Sequence, residues 1–494
     1  MNKPIKVNKQ VKVLSEELGV AFGTSGVRGL VKNLTPELCF AFVASFLQGV
    51  CSGSKRVAVG LDLRPSSPEI AKACIAAIEK GGAEAVYCGV IPTPALAFYA
   101  MQNNMPAVMI TGSHIPFDRN GIKFYRPDGE ISKADEAAIM EGHVTLPDSF
   151  PDTLLPDVNA AAMMIFEDRY KALFPSDMLV GKKIGVYEHS SVARDVIKKL
   201  LAYFGAEVIS LERTETFVPI DTEAVSEEDV AKGLAWSQTY QLDAIISTDG
   251  DGDRPLIANE KGEWLRGDIL GVLCADYLKA SHVAAPVNVN TVLELRGALQ
   301  EPERQSLRTR IGSPYVIAGM ETLLEQAPAA RIVGYEANGG FLVGSDFEVN
   351  GQTLHALPTR DSILPALILL AMAHEKGCPI RELTSDYPAR YTASDRIKEI
   401  PTETSRQLIN DIKSSKAKQA ELLSSIATEG EGGEVVSIDE TDGLRMTLNS
   451  GDIVHLRPSG NAPELRCYVE SEVELKSYNI LNAVLLLVVR LVKY

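Results

Sequence analysis

The chain has 494 residues, 45% of them hydrophobic and 23% charged, with a formal net charge of -16. That length exceeds one ordinary core and, at roughly 150 residues per domain, implies three or four domains. The acidic balance argues against nucleic acid or a membrane surface as a partner, so an anionic ligand must be gripped by local basic groups against an unfavourable overall field.

The first residues, MNKPIKVNKQVKVLSEELG, contain no continuous apolar segment of the kind a secretory leader needs. The seven cysteines (39, 51, 74, 88, 274, 378 and 467) are scattered and form no CxxC pair. Buried thiols in a reducing compartment fit that pattern better than disulfides or a zinc site, and a cytoplasmic location is expected. The apolar run 483–489 stops at Arg490. It is far shorter than the roughly 20 residues of a membrane span and is expected to be a core helix.

In chain order, one pattern occurs three times up to residue 385: a β-branched strand, an apolar-periodic helix, a second strand, and a third strand ending in a polar loop. The first copy has strands at 56–60, 85–88 and 107–111, with a helix at 67–81 that ends in Gly-Gly. The second has strands at 183–187, 207–211 and 243–248, with a helix at 192–204 before Gly205. The third offers 286–290, a weaker segment near 308–312, and 330–335. Such alternation predicts a mostly parallel sheet covered on both faces, where ligands collect at the carboxyl ends of strands. Each third strand leads into its own loop: TGSHIPFDRNG, TDGDGDRP and GYEANGG. Beyond residue 386 the texture changes. A polar helical stretch at 403–431 precedes short strands at 434–438, 444–448, 453–456 and 465–470 and a closing helix, and this smaller α+β region carries a fourth loop, RPSGNAPE.

The chemistry lies in these loops. Gly112 before Ser113 allows a sharp turn that presents a hydroxyl off the end of a buried strand. A serine needs a base or cation to become a nucleophile, and His114 and Lys123 are nearby candidates; alone, Ser113 reads equally as a turn cap. Asp249, Asp251 and Asp253, spaced by glycines, can curl around one hard cation on a loop expected to line a surface. Arg254 stands where an EF-hand requires glycine, and a strand precedes the loop; with few ligands and a phosphate to share, Mg²⁺ is favoured over Ca²⁺. Glu336 and Asn338, two apart on a glycine-flanked turn, can bond adjacent sugar hydroxyls. Arg457, Ser459, Gly460 and Asn461, with Arg466 beyond, can cradle a phosphate. FGTSGVRG at 22–29 is glycine-rich but lacks the lysine of a nucleotide-binding loop; its Arg28 can face a phosphate.

Five segments in this order, FGTSGVRG, TGSHIPFDRNG, DGDGDR, GYEANGG and RPSGNAPE, resemble the α-D-phosphohexomutase family over essentially the whole chain. The resemblance implies three similar mixed α/β domains and a smaller α+β C-terminal domain around a central cleft, with boundaries at 1–160, 161–265, 266–385 and 386–494. It implies phosphoryl transfer through Ser113, Mg²⁺ held by Asp249, Asp251, Asp253 and the seryl phosphate, and basic groups Arg28, His114, Lys123 and Arg254 around it. It further implies that Glu336 and Asn338 grip the sugar, that Arg457, Ser459, Gly460 and Asn461 hold the other phosphate, and that a hexose 1,6-bisphosphate acts as intermediate and activator. Two departures stand out. Many relatives read Glu-x-Ser-Gly-His where this chain has Asn338 and Gly340, and Thr-Glu or Thr-Thr where it has Asn461-Ala462. The expected reaction interconverts mannose 6-phosphate and mannose 1-phosphate, since nothing demands an amino sugar; glucose and glucosamine phosphates, and a metal-dependent phosphatase, are the alternatives.

Overall fold

The computed structural model describes residues 8–23, 26–150, 154–426, 434–459 and 463–493. It divides into two compact units, Met1–Ala280 with Gly312–Ser385, and Ser281–Ile311 with Asp386–Tyr494.

In the first unit the strand Arg56–Leu61 pairs in parallel with both Glu84–Val90 and Ala107–Ile110. Val57, Ala58 and Val59 are fully buried, as are Ala107 to Ile110. Strands covered on both faces need side chains that are apolar throughout, and these are. The helix Pro36–Gly49 covers one face. It starts where Thr35 accepts from the Leu38 N–H and Pro36 pre-sets the first turn. Its Phe42 and Phe46 pack into one cluster with Val57, Val59 and Phe124, each such side chain contributing about 1.5–3 kcal/mol on burial. The second copy repeats the plan, with Lys183–His189 parallel to both Glu207–Arg213 and Ala244–Thr248.

The sheets are less purely parallel than the pattern predicts. After each polar loop the chain turns straight back as an antiparallel strand. Arg119–Arg126 pairs with Ala107–Ile110, Pro255–Ala258 with Ala244–Thr248, and Phe341–Val343 with Ile332–Tyr335. The three loops are therefore hairpin connections. That is why Lys123, opposite Met109 in the ladder, sits back beside the loop it follows. Val27–Leu30 extends the first sheet, with Arg28 paired opposite Gly121.

In the second unit five antiparallel strands run in the order Tyr391–Lys398, Glu464–Ser471, Ile453–Pro458, Leu444–Leu448, Val435–Asp439. Alternate residues Leu444, Met446 and Leu448 point inward. Leu444 and Met446 share one core cluster with Ile480, Val484 and Val488 of the helix Glu474–Lys493. The expectation of a core helix at 483–489 holds for one face only, since Leu486 is 63% exposed. No helix among the described residues is long and apolar enough to cross a membrane. The strand expected at 286–290 is displaced: the observed one is His282–Pro286. The alternation of valine and asparagine in 287–290 mimics a strand, but Asn290 Oδ1 accepts from the Val292 N–H at 2.8 Å and makes a turn. Similarly, the segment near 308–312 is the strand Gln305–Thr309. All seven cysteines are free thiols and six are buried.

Candidate active site

Ser113 follows the buried strand Ala107–Ile110 and is itself fully buried. Its φ of 54° is left-handed, a conformation costing a non-glycine residue on the order of 1–3 kcal/mol. Arg64 holds it there. The guanidinium donates to the carbonyls of Ser113 at 2.9 Å, Ile115 at 2.5 Å, Pro116 at 2.8 Å and Arg119 at 2.9 Å. It lies over the Phe217 ring at 3.9 Å and pairs with Asp62 at 3.2 Å. Thr111 Oγ1 accepts from the Ser113 N–H at 2.8 Å. Ser113 is thus mounted on a clamped turn.

The Ser113 hydroxyl donates to Asp249 Oδ2 at 2.7 Å. Asp249, Asp251 and Asp253 are all fully buried, contrary to the surface loop expected, and one oxygen from each lies within 4.8 Å of the others. Asp249 Oδ1 closes the loop by accepting from the N–H groups of Asp253 and Arg254, both at 3.2 Å. A side chain at Gly250 would begin 2.9 Å from the Ser113 carbonyl, so glycine lets the acidic loop abut the serine turn.

The second oxygens are fixed from outside. Asp251 Oδ2 accepts from Thr93 Oγ1 and from Lys123 Nζ, both at 2.6 Å. Asp253 Oδ2 accepts from Lys123 Nζ at 2.7 Å and from Arg360 Nε and Nη2 at 3.1 and 2.8 Å. Asp251 Oδ1 and Asp253 Oδ1 are buried with no hydrogen-bond partner, although Arg254 Nε lies 3.7 Å from the latter. Hard, convergent and unsatisfied oxygens suit an oxophilic divalent cation. Electrostatics point the same way: burial, then repulsion by Asp251 and Asp253, pushes Asp249 well above the usual carboxylate range. Burial acts likewise on the other two, but Lys123 pulls Asp251 below that range and Arg360 does so for Asp253.

Of the basic candidates, Lys123 spends its ammonium on two aspartates, and its partners keep it protonated against burial. His114 is pushed down to about 2 by burial and by Arg254 and Arg28, so it is neutral. Its Nδ1 receives Arg254 Nη1 at 3.0 Å and is 3.5 Å from Ser113 Oγ. His114 thus stays beside the serine and Lys123 on the acidic loop, while the Ser113 hydroxyl itself donates to Asp249. Arg28 is lowered to about 10 by burial and by the positive charges of Arg254 and Arg360, which marks a cationic wall beside the acidic loop.

Glu336 and Asn338 sit on the hairpin between Ile332–Tyr335 and Phe341–Val343. Glu336 Oε2 receives Arg360 Nη1 at 3.1 Å. Asn338 Oδ1 is engaged by the Gly340 N–H at 3.0 Å, and its carbonyl by Thr222 Oγ1 at 2.8 Å.

In the second unit Arg457 lies on Ile453–Pro458, with Nε on Asp442 Oδ2 at 2.8 Å. In ladder register it faces Arg466, which in turn faces Arg396. Three arginines in one cross-strand row repel, unless an anion joins them. Ser459 is buried and its N–H donates to the Glu464 carbonyl at 2.8 Å. Gly460 and Asn461 lie outside the described residues.

Residues 19–145 fit the model of the phosphoglucomutase/phosphomannomutase alpha/beta/alpha domain I, and 266–391 that of domain III. A phosphomannomutase of Salmonella muenchen is 50% identical over 94% of this chain and 95% of its own. The chain belongs to the phosphoglucomutase/phosphomannomutase family. A second phosphomannomutase, from Sinorhizobium fredii, is 43% identical over 92% of this chain and 96% of its own. Among solved structures, a phosphoglucomutase/phosphomannomutase family protein of Burkholderia thailandensis shares the fold, with a TM-score of 0.70 at 18% identity over 93% of this chain and 95% of that one.

Within this family member, four residues at the site escape sequence reading: Asp62, Arg64, Thr93 and Arg360. A usable signal existed for two pairs of neighbours. Asp62 and Arg64, and likewise Arg360 and Asp361, are charged residues placed where an apolar strand ends. Such residues are seldom buried unless paired.

Proposed function

We propose that the chain is a phosphomannomutase, an intramolecular phosphotransferase that interconverts mannose 6-phosphate and mannose 1-phosphate. The observation that carries the reading is the Ser113 hydroxyl, held in a left-handed turn and bonded to one of three buried aspartates.

Phosphorylated on Oγ, Ser113 gives up its phosphoryl group to the free hydroxyl of the sugar phosphate. The Oγ–P bond breaks, a sugar O–P bond forms, and the sugar hydroxyl proton ends on Ser113. The hexose 1,6-bisphosphate so formed returns its other phosphoryl group to Ser113. Asp249, Asp251 and Asp253 are the residues that would hold Mg²⁺, which when bound offsets charge on the transferring phosphoryl group. Arg28 and Arg254 add positive charge there. Glu336 and Asn338 read ring hydroxyls. Arg457, Ser459, Gly460, Asn461 and Arg466 grip the phosphate that is not being transferred.

The test is a coupled assay on mannose, glucose and glucosamine 1-phosphates with Mg²⁺ and catalytic hexose bisphosphate. Priming by the bisphosphate and highest kcat/KM on mannose 1-phosphate are expected. Release of inorganic phosphate without priming would replace the reading with a phosphatase.

A further inference from the structure

Arg360 is 1% exposed and ends the strand Leu357–Asp361, whose Asp361 pairs opposite Phe341. That pairing lays its side chain across the sugar-side hairpin. One edge of the guanidinium, Nε and Nη2, meets Asp253 Oδ2 at 3.1 and 2.8 Å, while Nη1 meets Glu336 Oε2 at 3.1 Å. A single planar group therefore joins the carboxylate of the acidic loop to that of the sugar loop. A side chain at Gly340 would begin 2.5 Å from Arg360 Cδ and 2.6 Å from Cγ, closer than carbon atoms approach.

We infer that Arg360 is a positioning residue that sets the sugar-reading carboxylate Glu336 in register with the metal-side carboxylate Asp253, and that Gly340 is bare because the stem of Arg360 occupies its side-chain space. The inference rests on the phosphomannomutase reading. Three properties make the bridge more than a buried ion pair. It leaves Asp253 Oδ1 without a hydrogen bond, with only Arg254 Nε at 3.7 Å, so that oxygen can still face a cation. It fixes the rotation of both carboxylates, because a guanidinium fork has defined edges where an ammonium has none. It also ties two loops from different copies of the repeat, so a sugar misplaced at Glu336 is misplaced at the transferring phosphate.

The experiment compares wild type with R360K, R360Q, G340A and the double variant R360K/G340A. The readouts are Mg²⁺ affinity by calorimetry, kcat and KM on mannose and glucose 1-phosphates, and the melting temperature. R360K keeps the charge and loses the fork. Mg²⁺ affinity should stay within about 3-fold, while the mannose-to-glucose ratio of kcat/KM falls on the order of 10-fold. R360Q removes a cation beside Asp253, so Mg²⁺ should bind more tightly, by on the order of 10-fold. G340A should reproduce the loss of discrimination, and the double variant should be no worse than either single one, since both break the same contact. Unchanged discrimination in R360K, unimproved Mg²⁺ binding in R360Q, or additive effects in the double variant would each overturn the inference. So would a lowered melting temperature with wild-type kinetics, which is what a purely structural ion pair gives. If wild type turns over no hexose phosphate, the mutase reading fails, and the Mg²⁺ titrations still decide the bridge.

Discussion

The acidic loop of the first unit and the arginine row of the second treat charge in opposite ways. Asp249, Asp251 and Asp253 are met inside the fold by Lys123 and Arg360, with Arg254 close by, and two oxygens remain without a hydrogen bond. Arg396, Arg466 and Arg457 stand opposite one another in a ladder, which sets like charges side by side. Asp442 pairs with Arg457, and Glu464 lies 3.8 Å from Arg396. The first arrangement is nearly balanced and needs a ligand only to finish it. The second gains from any anion that arrives. Transfer chemistry demands fixed geometry, whereas a site that must accept either phosphate of a sugar needs surplus charge more than fixed geometry.

The largest break is Ser113→Ala, which should lower turnover by roughly 10³-fold or more and remove a phosphorylated peptide from the mass spectrum. Full activity in that variant would end the phosphoserine mechanism. Next comes Asp251→Asn. Because Asp251 is buried against Lys123, this change should weaken Mg²⁺ binding, slow turnover by roughly 100-fold, and also destabilise the fold by about 3–5 kcal/mol. A melting curve identical to wild type would show that the triad is not integral to the core. Arg457→Ala should raise KM alike for every hexose phosphate, by a loss of about 1.5–3 kcal/mol. The same variant should lose the upward shift in melting temperature that inorganic phosphate gives wild type. Exposed Arg396→Ala should do the same more weakly, within about 1 kcal/mol, and only at low salt. The smallest effect belongs to Asn338→Ser. Its carboxamide oxygen already bonds the loop's own Gly340 N–H, so it should shift the ratio of kcat/KM among sugars by only a few-fold. A uniform rise in KM instead would move Asn338 to the phosphate side.

Much of this was legible in the sequence. The β-branched runs place the strands at Lys183–His189 and Leu444–Leu448 within a residue or two, and the four loops stand out by their glycine and charge. Residues 287–290 misled because asparagine supports both an alternating pattern and a turn. The return strands were hidden because a hairpin and a crossover begin alike. Arg64 and Arg360 were hidden for a deeper reason. Their partners are carbonyls and carboxylates brought near by pairing between strands, such as Phe341 with Asp361, and no local spacing records that. At His114 folding adds what adjacency cannot show: the nitrogen that faces Ser113 Oγ at 3.5 Å also receives Arg254 Nη1 at 3.0 Å.

The way Lys123, Thr93 and Arg360 restrain the aspartates has a consequence for supply. A site whose carboxylates were held only by their cation would collapse or unfold whenever the cation was scarce. Here the repulsion is met by the chain's own groups, so the fold of the loop does not rest on a cation alone. On the proposed magnesium-dependent reading, a cell starved of the ion would keep this protein as a folded, idle reserve, ready to work when it returns.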